Sequence, residues 1–233
     1  MQRLLLAVVL SVVAGHALAA DMPMPAPSPP PMYVPVAPVY NWTGFYIGLN
    51  GGGAFGQSNW TDSNPALFPA TGNFPVNGFL FGGTLGANYQ MGAFVAGIEA
   101  DGDWAGVNGT TFNTSCGGVG CETNSNWLAT VRGRAGYAWD RVLFYGTAGG
   151  AFANLQAAAG ALPFSSSTQA GWTAGAGVEY AFAPNWTAKV EYLFVDLANA
   201  SCGANCDGGN GTTTTVSLYE NVIRGGINFK FGW

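Results

Sequence analysis

From Asn41 onward the chain alternates large apolar side chains with small or polar ones, in segments of roughly ten residues. Period-2 alternation marks a strand with two unlike faces. Eight such strands are predicted, over Gly44–Phe55, Gly78–Tyr89, Ala93–Trp104, Asn126–Trp139, Val142–Asn154, Gln169–Phe182, Trp186–Leu197 and Leu218–Trp233. Their connections alternate in length. Short ones fall near Gln90–Gly92, Asp140–Arg141 and Ala183–Asn185; long ones cover Gly56–Asn77, Ala105–Ser125, Leu155–Thr168 and Ala198–Ser217. The long ones are rich in Asn, Thr, Ser, Gly and Pro, as surface loops are.

The two faces differ in chemistry. In the third segment Phe94, Ala96, Ile98, Ala100 and Trp104 oppose Glu99, Asp101 and Asp103. In the fourth, Trp127, Val131, Tyr137 and Trp139 oppose Thr130, Arg132 and Arg134; in the last, Ile223, Ile227, Phe229, Phe231 and Trp233 oppose Arg224, Asn228 and Lys230. The sixth and seventh place Glu179, Lys189 and Glu191 opposite Trp172, Tyr180, Tyr192 and Phe194. Alternation does not say which face meets solvent, because a soluble sandwich alternates too. Two features choose. Aromatics gather at both strand ends, as at Trp104, Trp127, Tyr137, Trp139, Trp172, Phe182 and Trp186, like the interfacial girdles of a membrane barrel. Charged residues make up only 8% of the chain, against about 25% in soluble domains. The expected fold is therefore all-β, an eight-stranded antiparallel up-and-down transmembrane barrel over residues 41–233, with apolar faces toward lipid.

The polar faces then line a lumen only wide enough for side chains to fill. Charges there must be paired. An interlocking ion-pair network is expected among Glu99, Asp101, Arg132, Arg134, Glu179, Lys189, Glu191, Arg224 and Lys230, with Asp103 and Glu220 as further members. Its role is to fill the barrel.

The N-terminus sets the compartment. Arg3, the apolar run LLLAVVLSVVAG and Ala17-Leu18-Ala19 form a signal peptide over residues 1–20, with cleavage after Ala19 or Ala20. The apolar run is shorter than the ~20 residues a helical span needs. Residues 21–40 are dense in Pro and read as an extended periplasmic linker. Both termini are expected on the periplasmic side.

Chemistry is scarce. The single His16 lies in the signal peptide, so no mature His-based catalytic constellation can be built, and no enzyme is expected. Seven Lys and Arg residues with no basic run disfavour nucleic-acid binding. No cofactor or metal is expected: Glu99, Asp101 and Asp103 fit lumen packing better than a Ca²⁺ site, and GGTLGA at Gly82–Ala87 lacks the helix and Lys of a phosphate loop. The cysteines sit in two loop pairs, Cys116/Cys121 and Cys202/Cys206. Export permits oxidation, and local bridges Cys116–Cys121 and Cys202–Cys206 are preferred over zinc. Trp42 and Trp186, each in an Asn-Trp-Thr triplet, read as interfacial anchors.

The motifs NWTGFYIGLNGGGAFG (Asn41–Gly56) and RGGINFKFGW (Arg224–Trp233) resemble the small outer-membrane β-barrel family of α-proteobacteria, relatives of opacity-type and OmpA-type barrels often called porin-family or immunogenic surface proteins. The resemblance covers the signal, the leader and all eight strands. It implies an outer-membrane location, contact with lipopolysaccharide and phospholipid, and a terminal-strand signal for the barrel-assembly machinery at Ile227, Phe229, Phe231 and Trp233. Where the family usually ends in Phe, this chain ends in Trp. Two functions are expected in order: a structural and surface-interaction protein whose loops meet external ligands, then a narrow porin-like channel. An aqueous channel generally needs about sixteen strands, which favours the first.

Overall fold

The computed structural model describes residues 40–64, 66, 69–112, 116, 120–160, 162–202 and 213–231. Eight antiparallel strands pair in chain order and close into a barrel. They are β1 (Gly44–Asp62), β2 (Phe74–Met91), β3 (Phe94–Thr111), β4 (Cys121–Trp139), β5 (Val142–Ala159), β6 (Ser165–Ala183), β7 (Trp186–Cys202) and β8 (Thr214–Lys230). Pairing of β1 with β8, from Tyr46↔Lys230 to Asp62↔Thr214, closes the cylinder, so no sheet edge is left unpaired. Two-residue turns at 92–93, 140–141 and 184–185 define one end. Two of them use a left-handed residue, Gly92 (φ 63°) and Asp140 (φ 53°), the latter a type that tolerates this region. The opposite end carries the longer connections.

The strands are longer than the alternation predicts, and nearly all the extra length is at the loop end; at the turn end β2 gains two residues and β6 one, while β8 stops at Lys230, three short of its expected limit. β1 continues seven residues past Phe55 to Asp62, β2 begins at Phe74 and β8 at Thr214. The connection expected over Leu155–Thr168 shrinks to 160–164 between β5 and β6. The reason is a change of sense in the pattern. Near the turn end the outward residues are apolar: Phe45, Ile47 and Leu49 on β1, Ile223 and Ile227 on β8, all exposed. Nearer the loops the inward residues are apolar instead, as in Trp60 on β1, Phe74, Val76 and Leu80 on β2, and Val216, Leu218 and Val222 on β8. Outward positions there are Gln57, Asn59 and Thr61 on β1 and Thr215 and Ser217 on β8. Each strand is thus a membrane-barrel strand along one half and a soluble-barrel strand along the other. Register shifts between Trp104 and Val107, Ser125 and Leu128, and Leu197 and Ala200 fall near this change. A bulge inserts an extra residue and breaks the period-2 count.

The outward apolar band runs on β1 from Phe45 to Phe55, matching the ~9–11 residues of a spanning strand. Its edges are aromatic. Tyr89, Phe94, Tyr137, Trp139, Tyr180 and Trp186 ring the turn side; Phe79, Trp104, Trp127, Phe152 and Trp172 ring the loop side, and all are exposed.

Cys116 and Cys121 form a disulfide (Cα–Cα 5.5 Å) that ties the connection after β3 to the first residue of β4. The second expected bridge involves Cys206, which lies outside the described residues, as do Trp233, the expected signal peptide and all of the Pro-rich segment except Tyr40.

Candidate functional site: a layered, closed lumen

Inward side chains fill the barrel at three successive levels. At the turn end is an apolar plug of Trp42, Val95, Ala138, Leu143 and Ala181, with Tyr40 packed against it. Trp42 is 2% exposed, and its backbone N–H donates to Gln90 Oε1 at 2.7 Å. This corrects the reading of Trp42 as an interfacial anchor: it precedes β1 and turns into the barrel mouth, where burial of its large ring outweighs an interfacial position. Trp186 does face outward. Tyr40 meets Trp42 edge-on at 4.8 Å. Burial first, then the negative charge of Glu179, pushes the Tyr40 phenol up to about 12, so it stays neutral.

The middle level is ionic. Strand register prepares it: Glu99 pairs with Arg132 across β3 and β4, and Glu191 with Arg224 across β7 and β8. The side chains then reach beyond their neighbours. Arg132 Nη2 donates to Glu99 (2.6 Å) and Asp101 (2.5 Å), and its Nη1 lies 3.1 Å from Glu191 across the lumen as an ion pair. Arg224 bonds Asp101 (2.6 Å), Asp103 (2.8 Å) and Glu191 (2.8 Å). Arg134 takes Glu179 at 2.8 Å and lies 3.6 Å from Glu99. Lys189 faces Glu179 in register yet donates to Glu99 at 2.8 Å. Each guanidinium offers five donors in a rigid fork, so one Arg can bridge three carboxylates. Four cations hold five carboxylates, and every one of these side chains is at most 4% exposed.

Neutral groups complete the level. Tyr46 Oη donates to Glu99 (2.8 Å) and accepts from Arg134 Nη1 (3.0 Å). Tyr145 Oη donates to Glu191 (3.1 Å), and its ring lies 3.9 Å from the Arg134 guanidinium carbon. Thr130 supports Asp101; Thr187 and Asn228 support Glu179. The inward parity of Tyr46 and Tyr145 is legible in sequence, but their part in the network is not, since phenols also suit a girdle.

The structure places eight of the nine expected network residues here, together with Asp103. Lys230 is corrected. It sits at the last position of β8, where the lumen opens, and its ammonium donates to Asn41 O and lies 4.6 Å from the centre of the Tyr40 ring. Glu220 is buried but joins no ion pair among the described residues: it stands four positions from Arg224 toward the loops, inside the third level.

That third level is apolar again, built from Trp60, Phe74, Val76, Leu80, Leu128, Leu155, Val195, Val216 and Leu218. Trp60 Nε1 donates to Thr123 Oγ1 at 3.0 Å across the barrel. Among the described residues, no cluster of His, Cys, Asp and Glu could hold a metal ion.

A closed cylinder with an apolar outward band, two aromatic edges and a charged interior is a transmembrane β-barrel. The outer membrane protein beta-barrel domain family matches residues 5–231, and the chain belongs to it. The chain is 35% identical over 248 residues to the 31 kDa outer-membrane immunogenic protein of Brucella melitensis biotype 1, covering 99% of this chain and 100% of the relative. It is 32% identical over 199 residues to the 22 kDa outer membrane protein of Rhizobium leguminosarum bv. viciae, covering 84% and 82%. Among solved structures it is similar to the outer membrane protease OmpT of Escherichia coli, with a TM-score of 0.50, 9% identity and coverage of 84% and 99%; that likeness concerns the fold alone. The protein is an outer-membrane barrel of the kind these α-proteobacterial relatives represent.

Proposed function

We propose that this barrel is a closed structural and surface-interaction protein of the outer membrane, neither an open pore nor an enzyme. One observation carries the reading: the lumen is packed at three consecutive levels, apolar, ionic and apolar. Water and ions crossing it would have to displace Trp42 and Leu143, break a network of mutually paired charges, and then separate Leu80, Leu128 and Val216. Charges so paired hold each other in place, because removing any one unbalances the buried charge of the whole level.

In this reading the loop end faces outward and the termini lie in the periplasm. The polar upper halves of the strands stand in the sugar layer of lipopolysaccharide, phospholipid surrounds the turn side, and the loops meet external ligands. The Brucella relative is named an immunogenic protein, which fits loops open to the outside. Ile227, Phe229, Phe231 and Trp233 would be read by the barrel-assembly machinery. The non-enzymatic reading rests on the lack of any histidine after residue 16.

Conductance in planar bilayers tests the proposal. Purified barrel is expected to give no reproducible openings. Openings of one uniform size would overturn the closed-lumen reading in favour of a narrow channel for ions or small solutes.

A further inference from the structure

Six Lys and Arg residues follow the signal peptide. Four are consumed by lumen carboxylates. The other two, Arg141 and Lys230, lie far apart in sequence yet line the same cavity of about 240 Å³ at the turn-end mouth. We infer that this cavity is a binding site for a phosphate group, taking the headgroup of a membrane phospholipid or a free phosphate.

The remaining walls are Tyr40, Asn41, Pro184 and the small Ala181 and Ala183. No acidic side chain lines it among the described residues, so among these the two cations have no carboxylate partner in the cavity. Lys230 is held rather than free: Asn41 O accepts one ammonium donor, and the Tyr40 ring faces the charge. An ammonium carries three donors, so two remain. Arg141 is exposed in the β4–β5 turn, and its backbone oxygen is fixed by Ala181 N–H at 2.8 Å. Its guanidinium supplies the planar fork that matches phosphate oxygens, while Lys230 supplies a point charge. The depth fits as well. Trp139, Tyr180 and Trp186 mark the turn-side edge of the apolar band; Arg141, two residues after Trp139, and Lys230, whose backbone N–H donates to Asn185 O beside Trp186, lie level with that edge, at the depth of headgroup phosphates. Charge, donors and position thus converge on one ligand chemistry, and none of the residues involved belongs to the ionic network.

The test uses the full barrel in detergent micelles, with nuclear magnetic resonance signals of the Arg141 Nε–H and the Lys230 side chain followed during three titrations. The probes are inorganic phosphate, dihexanoyl phosphatidylglycerol and phosphate-free dihexanoylglycerol. Saturable shifts with a phosphate-bearing probe and none with dihexanoylglycerol are expected. Lys230→Gln, read at Arg141, and Arg141→Gln, read at Lys230, should each weaken binding at least tenfold, and Lys230→Arg should restore it. Tighter binding of the lipid identifies a headgroup site; equal or tighter binding of inorganic phosphate identifies a site for soluble phosphate. An unshifted band on unboiled gels keeps misfolding apart from lost binding. Absence of saturable shifts, equal affinity in Lys230→Gln, or equal response to dihexanoylglycerol would overturn the assignment.

Discussion

Arg132 is the side chain on which most of the ionic level turns. It touches Glu99, Asp101 and Glu191 and has the glycine Gly149 as its β5 neighbour. A Cβ at Gly149 would run into Val131 O and Arg132 Cα, so β4 and β5 approach this closely beside Arg132 only because that position lacks a side chain. Gly52 does the same beside Arg224. Arg132→Ala is expected to destabilise the barrel by about 3–5 kcal/mol, since it takes one of four cations from a level of five buried carboxylates and leaves their charge under-compensated; equilibrium urea unfolding in detergent measures it. Gly149→Val should lower the unfolding midpoint clearly, whereas Gly102→Ala, whose added methyl meets nothing within 4 Å, should leave it unchanged. Equal effects of the two would show that the lumen has slack.

A single strand carries two opposite solvent relations, and β8 shows it best. Ile227 faces lipid and Asn228 the lumen, while ten residues earlier Ser217 faces out and Leu218 in. The same charge should therefore have different effects along one outward row. Ile227→Lys is expected to destabilise by about 2–4 kcal/mol, as a charge at the lipid face does near mid-membrane. Ser217→Lys should change stability by less than about 0.5 kcal/mol. Refolding into phospholipid vesicles across a urea series reads both, and similar losses at the two sites would mean that the apolar band extends to the loop-end half. The eight strands, their turn-end limits to within three residues and their membrane-facing sides were legible from alternation, because side chains of a pleated strand point to opposite faces whatever surrounds it. The loop-end limits were not. There the apolar face switches sides and bulges break the count, so a reader of Gln57–Asp62 or Thr214–Ser217 sees only polar loop residues.

The closed cylinder satisfies its backbone groups by strand pairing, the requirement lipid imposes on any spanning structure. On a detergent gel the folded barrel is expected to migrate as a compact band that shifts on boiling, and alkaline carbonate should fail to strip it from membranes. Extraction without detergent would mean that the aromatic-edged band does not face lipid. Composition and periodicity determined the class of this protein: too little charge for a soluble surface, and an even number of alternating strands. Both are local or summed properties, and they do not depend on which residues meet. Tertiary structure alone decided the partners. That Lys189 chooses Glu99 over its register neighbour Glu179, that Arg224 reaches Asp101 and Asp103 from β8, that Trp42 stoppers the turn end and that Lys230 leaves the network for the mouth all follow from closing β8 onto β1. Closure brings strands distant in sequence within a side chain's length across a narrow lumen, and no spacing along the chain encodes which of them will face each other.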